Sequence, residues 1–304
     1  MGKCLVTKLN GIVDNINLKK LGELRLNIQK SVALTADART ITLGCHSPVD
    51  IEVIGGYFTD KTFSKNYGTT AKAEANHAKE LIVSNNDCIL RFINKSDVIS
   101  LTLGKNFAAT DFRFDLSELK HSGITTANFF NLVNLAEDIS ILKDIPQLES
   151  ITISNCYGCF GDIASLAATK NLKFFIASYC PKIYGDISSL VNNSKLKRLS
   201  LKGTATFGDL SYLPSPTFFI SLSENAIAKW KRERPSSSPI ISIEGNPLLG
   251  TDVDAMLINQ AKCSPSTEDT IKKIEVKGTK TSLSDSAVSS LQSKGYTISI
   301  TPTE

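Results

Sequence analysis

The sequence predicts a mixed α/β solenoid, in which short parallel strands stack coil upon coil into one sheet, preceded by a small β-rich unit. Three observations predict it. First, GDIASL, GDISSL and GDLSYL begin at Gly161, Gly185 and Gly208, with looser copies EDISIL and FDLSEL beginning at Glu137 and Phe114. Their aspartates stand at 115, 138, 162, 186 and 209, steps of 23, 24, 24 and 23. Self-similarity at a fixed period of this length marks a stacked-repeat architecture. Second, a pattern L-x-x-L-x-L-x-x-C/N/T follows each aspartate by about ten residues. Third, residues 1–95 carry neither pattern.

The first 95 residues hold short strand-like runs at Cys4–Leu9, Glu23–Ile28, Thr40–Gly44, Asp50–Ile54, Glu80–Val83 and Cys88–Ile93, punctuated by Gly, Asn and Asp. Asn85-Asn86-Asp87 between two apolar runs reads as a hairpin turn. The unit is expected to be compact, β-rich and sandwich-like. It either docks the solenoid to something larger or caps its first repeat, since exposed repeat ends need covering.

From residue 96 to 304 the repeats take over, with about nine strands. The clearest copies are Leu148-x-x-Ile151-x-Ile153-x-x-Cys156, Leu172-x-x-Phe175-x-Ala177-x-x-Cys180 and Leu196-x-x-Leu199-x-Leu201-x-x-Thr204. Val98, Leu101, Leu103 and Asn106 fit upstream, as do Ile124, Ala127 and Phe129. Weaker copies carry Ile220/Leu222/Asn225, Ile241/Ile243/Asn246 and Ile274/Val276/Thr279, and Ile298-x-Ile300 closes the series. Alternation of period two marks a strand with one buried face, and a strand this short buries that face only against its neighbours in the stack. The polar residue three places on (Asn106, Cys156, Cys180, Thr204, Asn225, Asn246, Thr279) is expected to turn inward and satisfy backbone groups of the adjoining loop. Leu132 departs from this rule.

Each aspartate is expected to cap a short helical turn on the opposite side. Apolar pairs follow it at Leu116/Leu119, Ile139/Leu142, Ile163/Leu166, Ile187/Leu190 and Leu210/Leu213. A separation of three puts both members on one face, toward the core. Glycine before the aspartate suits a tight strand-to-helix turn. Fuller helices are expected near Asp252–Lys262 and from about Ser284, with Val288 and Leu291, to a stop at Gly295. Asp252 and Asp254 read as helix N-terminal residues.

The signature resembles that of the leucine-rich repeat family from about Val98 to Ile300. The resemblance implies a right-handed leucine-rich repeat solenoid with a parallel sheet, and a ligand-binding concave strand face. The GDI-S-x-L variant looks like repeats common in Bacteroidetes proteins and in phages infecting those bacteria. The opening CLVTKLNGIVDNINLKKLGELRLNI is similar to the N-termini of virion proteins of Bacteroides tailed phages, including the crAss-like group.

Composition narrows the function classes. With 34 Lys plus Arg against 30 Asp plus Glu, the net charge of +4 is too small to imply nucleic acid. No apolar run reaches the roughly 20 residues a membrane span needs. MGKCLVTKL lacks the apolar stretch of a secretory signal, and Val6 stands where a myristoylation motif wants Ser or Thr. Synthesis in a bacterial cytoplasm without classical export is therefore expected. Seven scattered cysteines, an odd number, read as reduced thiols rather than a disulfide framework.

No catalytic constellation emerges. Cys156-Tyr-Gly-Cys159 has CxxC spacing, but Cys156 already has a structural place in the repeat and no second pair completes a metal site. An enzyme using Cys159 as nucleophile is a distant third reading. His46, His77 and His121 form no triad-like or HExxH pattern, and no phosphate-cradling glycine motif is present. No cofactor or metal is implied. The run Lys229-Trp230-Lys231-Arg232-Glu233-Arg234-Pro235 is either a solvated connection or a basic-aromatic binder of anionic polymers.

Residues between the buried positions define the concave face: Ser150/Thr152/Ser154, Phe174/Ile176/Ser178, Arg198/Ser200/Lys202, Phe219/Ser221/Ser223 and Ser242/Glu244. Phe174, Ile176, Arg198 and Phe219 form an apolar-cationic patch of the kind that anchors interfaces. The Ser/Thr remainder equally suits β-propensity and solubility. The reading is a non-enzymatic structural or interaction protein. It would be a phage virion fibre, appendage or decoration subunit, attached to other virion proteins by its N-terminal domain and presenting the repeats to a host-surface protein or glycan. Homo-oligomers fit this reading. The alternative is a bacterial leucine-rich repeat adhesin or intracellular scaffold.

Overall fold

The computed structural model describes residues 98–103, 116–120, 122–132, 135–214, 248, 250–262 and 272–302 in full, and the backbone of strands within 23–93, 219–221, 226–229 and 240–243. The N-terminal strands are β1 (Glu23–Ile28), β2 (Arg39–Cys45), β3 (Val49–Ile54), β4 (Phe58–Asp60), β5 (Asn66–Gly68), β6 (Thr70–Ala73), β7 (Lys79–Val83) and β8 (Cys88–Ile93). The repeats then give β9 (Val98–Leu103), β10 (Thr126–Phe129), β11 (Ser150–Thr152), β12 (Phe160–Asp162), β13 (Phe174–Ile176), β14 (Lys182–Asp186) and β15 (Arg198–Ser200). They continue with β16 (Ala205–Asp209), β17 (Phe219–Ser221), β18 (Ala226–Lys229), β19 (Ile240–Ile243), β20 (Lys273–Lys277) and β21 (Thr297–Thr301). Two α-helices close the series, α1 (Gly250–Ala261) and α2 (Asp285–Ser293).

The expected nine repeat strands form one parallel array in chain order, β9-β10-β11-β13-β15-β17-β19-β20-β21. Register is kept from coil to coil: Ile151 pairs with Phe175, Phe175 with Leu199 and Leu199 with Ile220. The fold is thus an α/β solenoid with a parallel sheet, as the repeats implied. At the other end β2 joins β9 antiparallel, and β7, β4 and β5 extend the same thirteen-stranded sheet. The N-terminal unit therefore prolongs the sheet of the repeats. Its other strands form an antiparallel sheet, β1-β8-β3-β6. The expected run Cys4–Leu9 lies outside the described residues.

The Asn85-Asn86-Asp87 hairpin expectation is corrected: β7 pairs with β2 and β4, while β8 pairs with β1 and β3. A turn signal is local, and it does not specify which sheet receives the next strand.

The core runs along the stack. Leu101, Ala127, Ile151, Phe175 and Leu199 are fully buried, as are Leu103, Phe129, Ile153, Ala177 and Leu201. The coil with Ala127 carries Phe129, and the coil with Phe175 carries Ala177. Large and small residues thus trade places between rows and conserve volume, as close packing demands. Opposite them, the pairs Leu116/Leu119, Ile139/Leu142, Ile163/Leu166 and Ile187/Leu190 are buried on 3-10 turns. A 3-10 turn brings i and i+3 onto one line, which matches the spacing of each pair.

Four of the aspartates are the caps the repeat implied. Asp138, Asp162 and Asp186 accept from the backbone N–H of Ser140, Ala164 and Ser188 at 2.8 Å, and Asp209 accepts from Ser211 at 2.9 Å. Asp115 lies outside the described residues. The glycines have a different reason from the expected turn. Gly161, Gly185 and Gly208 lie within a second parallel sheet, β12-β14-β16-β18, with φ of +125°, +124° and +122°. A Cβ on Gly161 would sit 2.6 Å from Asp138 Oδ1, and at Gly185 and Gly208 it would overlap Asp162 and Asp186 Oδ1 more closely still. Each glycine leaves room for the capping carboxylate of the coil before it.

Inward polar residues stitch the coils together. Cys180 Sγ donates to Ile153 C=O at 2.8 Å and Cys156 Sγ reaches Phe129 C=O at 3.7 Å, each in the preceding coil, whereas Thr204 Oγ1 donates within its own coil to Leu201 C=O at 2.8 Å. Asn106, Asn225 and Asn246 lie outside the described residues. Thr279 is corrected: it is exposed, and Gly278 takes the buried place, where a Cβ would stand 3.0 Å from Leu248 O and Val253 Cγ2. A second ladder has no counterpart in the sequence reading. Thr169 Oγ1 donates to Leu142 C=O at 3.2 Å, and Asn193 Nδ2 donates to Leu166 C=O at 2.9 Å. These satisfy carbonyls at the ends of the preceding 3-10 turns. The signal was a polar residue three places after the second apolar residue of the turn in these two coils, Thr169 after Leu166 and Asn193 after Leu190.

The helices fall where expected, with α2 followed by Gly295 at φ +87°. Asp254 does more than lie in a first turn. It is buried inside α1 and binds the segment leading into α2, accepting from Thr281 Oγ1 and Ser284 Oγ, both at 2.6 Å, and from Thr281 N–H at 3.0 Å.

Candidate functional site

Parallel register decides which concave-face residues meet. Phe174 lies between Ser150 and Arg198, and Arg198 lies between Phe174 and Phe219. In the next row the order is Thr102, Asn128, Thr152, Ile176, Ser200, Ser221 and Ser242. Strands at about 4.8 Å spacing therefore present Phe174, Arg198 and Phe219 as consecutive members of one row. The side chains of Phe219 and Ser221 lie outside the described residues.

Exposure sorts the row. Arg198 is exposed, while Phe174, Ile176, Ser154, Ser178 and Lys202 are half-buried. Thr152 and Ser200 alternate onto the same face, yet are only 5% and 7% exposed. The reachable surface is therefore Phe174, Ile176, Arg198 and Lys202 together with Ser150, Ser154 and Ser178. Ser200 Oγ is 2.7 Å from Ser178 Oγ, and Asn128 Nδ2 donates to Thr102 Oγ1 at 3.1 Å. Lys202 Nζ lies 5.6 Å from the centroid of Tyr179, within cation–π range. Tyr179 itself sits at φ +59°, in the turn place that Asn131 and Asn155 occupy in earlier coils.

The second sheet adds three exposed aromatics absent from the sequence expectations; its register sets Tyr184 beside Asp162 and Ala205, and Phe207 beside Asp186. Phe160, Tyr184 and Phe207 each stand two residues before a capping aspartate and are 43%, 51% and 46% exposed. The signal was present in F-G-D, Y-G-D and F-G-D. Strands of three to five residues with a glycine next to last give no alternation long enough to read as strand.

The cysteines are structural in geometry. Cys156, Cys159 and Cys180 are fully buried, and Cys159 Sγ reaches Leu135 C=O at 3.4 Å. The hydrogen bond with Cys156 and the apolar surroundings push the Cys159 thiol upward. Burial raises Cys180 to about 12. A nucleophilic thiol needs the opposite shift; the hydrogen bond with Cys159 lowers Cys156 in that direction, but Cys156 is fully buried and out of reach of a substrate. Alkylation of the native protein at neutral pH is therefore expected to leave Cys156, Cys159 and Cys180 unmodified, with all three reacting after denaturation. Fast labelling of Cys159 in the native state would revive the nucleophile reading. Among the described residues no three His, Cys, Asp or Glu cluster in a way that could hold a metal ion. No helix of the described residues is long and apolar enough to cross a membrane. His46, His77, His121 and Trp230–Pro235 lie outside the described residues.

Together the fold and this row of side chains define a parallel α/β repeat solenoid with an apolar-cationic strand surface. No family model matches the chain, and no curated protein matches it. Solved structures do. An internalin, InlF, from Listeria monocytogenes is 16% identical, with a TM-score of 0.36, the match covering 51% of this chain and 51% of that one. The leucine-rich repeat ectodomain of the receptor kinase GASSHO1/SCHENGEN3 from Arabidopsis thaliana, solved with CASPARIAN STRIP INTEGRITY FACTOR 2, is 12% identical. Its TM-score is 0.33, and the match covers 59% of this chain and 28% of that one. A PEPR1–AtPEP1 complex is 13% identical with a TM-score of 0.36, covering 68% and 35%. The chain thus spans about half the length of the internalin and about a quarter of the GASSHO1/SCHENGEN3 ectodomain.

Proposed function

We propose that this chain is a non-enzymatic interaction protein that binds a protein or glycan on its concave strand face, within a phage virion. In this reading residues 1–95 serve as the attachment domain and residues 96–304 as the binding solenoid. The observation that carries the binding reading is the row Phe174–Arg198–Phe219 on three adjacent strands, continued by Ile176 and Lys202. Aromatic and Arg side chains are the usual energetic anchors of an interface. The virion reading rests on the opening residues, Cys4–Ile28, and on their similarity to Bacteroides phage virion proteins. The chain would be made in the bacterial cytoplasm and carried in the particle as a fibre, appendage or decoration subunit.

Two measurements test this. Mass spectrometry of purified phage particles is expected to find the chain at stoichiometric abundance; its absence would leave the adhesin or scaffold reading. Binding of purified chain to host cells is expected to fall at least tenfold in Arg198→Ala/Phe174→Ala, with the unfolding midpoint unchanged. Equal binding by this variant would remove the concave row as the site.

A further inference from the structure

The thirteen-stranded sheet ends on β21, which has β20 on one side and no strand on the other among the described residues. Its hydrogen-bond phase is fixed. Thr297 N–H donates to Lys272 C=O at 2.9 Å, and Gly278 N–H donates to Thr301 C=O at 2.7 Å. The register runs from Lys273–Thr297 to Lys277–Thr301. In a parallel ladder alternate residues bond to one side. Residues 297, 299 and 301 thus face β20, and the N–H and C=O groups of Ile298 and Ile300 point along the open edge.

The side chains repeat this symmetry. Thr297-Ile298-Ser299-Ile300-Thr301 reads the same in both directions and carries no charge. Thr297, Ser299 and Thr301 are exposed, and Ile298 and Ile300 are only half-buried, while Ile274 and Val276 beside them are 0% and 1% exposed. Edge strands are ordinarily blunted by lysine, proline or a bulge, and none of these occurs within 297–301.

We propose that β21 is a self-recognition edge through which two copies of this chain pair antiparallel about a two-fold axis at Ser299. Facing residues of a narrow antiparallel pair exchange both backbone bonds. In this pairing Ile298 meets Ile300 of the second copy and Ile300 meets its Ile298, which gives four bonds from the groups that point outward. The same register sets isoleucine on isoleucine on the core side, and threonine on threonine and serine on serine on the concave side. The interface is isologous and closes as a dimer. A five-residue edge is far smaller than a standard interface, so the pairing is expected to be weak and concentration-dependent.

Sedimentation equilibrium of the full chain between about 1 and 200 μM tests it. The wild-type chain is expected to pass from monomer to dimer across this range. Ile300→Pro removes an outward N–H without touching a bond to β20, a position where an edge strand tolerates proline. It is expected to stay monomeric with an unchanged circular dichroism spectrum. Should that variant fail to fold, Ser299→Glu serves instead. It alters an exposed side chain and sets two carboxylates face to face across the axis, and it too is expected to be monomeric. A wild-type chain that is monomeric at 200 μM, or a folded variant that dimerises like wild type, overturns the proposal.

Discussion

Gly185→Ala is expected to destabilise the centre of the solenoid by about 4 kcal/mol. Two costs add. Gly185 lies at φ +124°, which L side chains rarely adopt, worth about 1–3 kcal/mol. The new Cβ would also overlap Asp162 Oδ1 and stand 3.0 Å from Ile163 Cγ1, an overpacking cost of about 1–3 kcal/mol. The carboxylate cannot swing aside freely, because it accepts from Ala164 N–H at 2.8 Å. A double-mutant cycle separates the two. Asp162→Ala alone removes a cap and costs about 1 kcal/mol. Placed together with Gly185→Ala it removes the overlap, so the pair is expected to cost about 1–2 kcal/mol less than the sum. Urea unfolding measures each variant, and a Gly185→Ala midpoint equal to wild type would refute the interlock.

Asp254→Ala is expected to cost about 3 kcal/mol and to loosen α2 from α1. The substitution leaves Ser284 Oγ, which is fully buried, only a long 3.4 Å bond to Thr281 C=O, and removes the acceptor of Thr281 N–H and Oγ1. Burial alone would raise the Asp254 carboxyl. The bonds from Ser284 and Thr281, with Lys280 nearby, outweigh burial and hold it below the ordinary range. A carboxyl depressed in the folded state adds stability that is complete above its unfolded value, roughly pH 4, and is lost as pH falls through the folded value. The difference in unfolding free energy between wild type and Asp254→Ala is therefore expected to be constant from pH 5 to 8 and to shrink below pH 4. A difference that stays constant to pH 2 would mean the carboxylate charge is not what binds the segment.

The repeat strands were legible because two independent signals agreed, a period of two within each strand and a period near 24 between them. Ile151, Phe175 and Leu199 satisfy both, and they occupy one buried row. The capping role of Asp138, Asp162, Asp186 and Asp209 was legible because a cap is a local bond, two residues long. What escaped the sequence depends on contacts between coils. Gly161 and Asp138 touch across 23 residues, and no pattern within either coil reveals it. Asp254 and Ser284 meet across 30 residues between two different kinds of helix. Of the concave row, the membership of Phe174, Arg198 and Phe219 was legible from spacing. The covering of Thr152 and Ser200 was not, since it depends on the bulk of neighbouring strands. β7 and β8 each read clearly as strands, but their partners depend on how two sheets share the chain.

The fit between each aspartate and the following glycine bears on how this molecule changes length. Removing residues 161–184 would join Phe160 to Gly185 and bring Asp138 against a glycine in the same geometry as the one lost. The Ser150–Thr152 segment would then meet Arg198–Ser200, isoleucine beside leucine, at an unchanged register. The array behaves as a ruler whose divisions are interchangeable. Its reach is adjustable in increments of about 4.8 Å by duplication or excision, with both terminal attachments left intact.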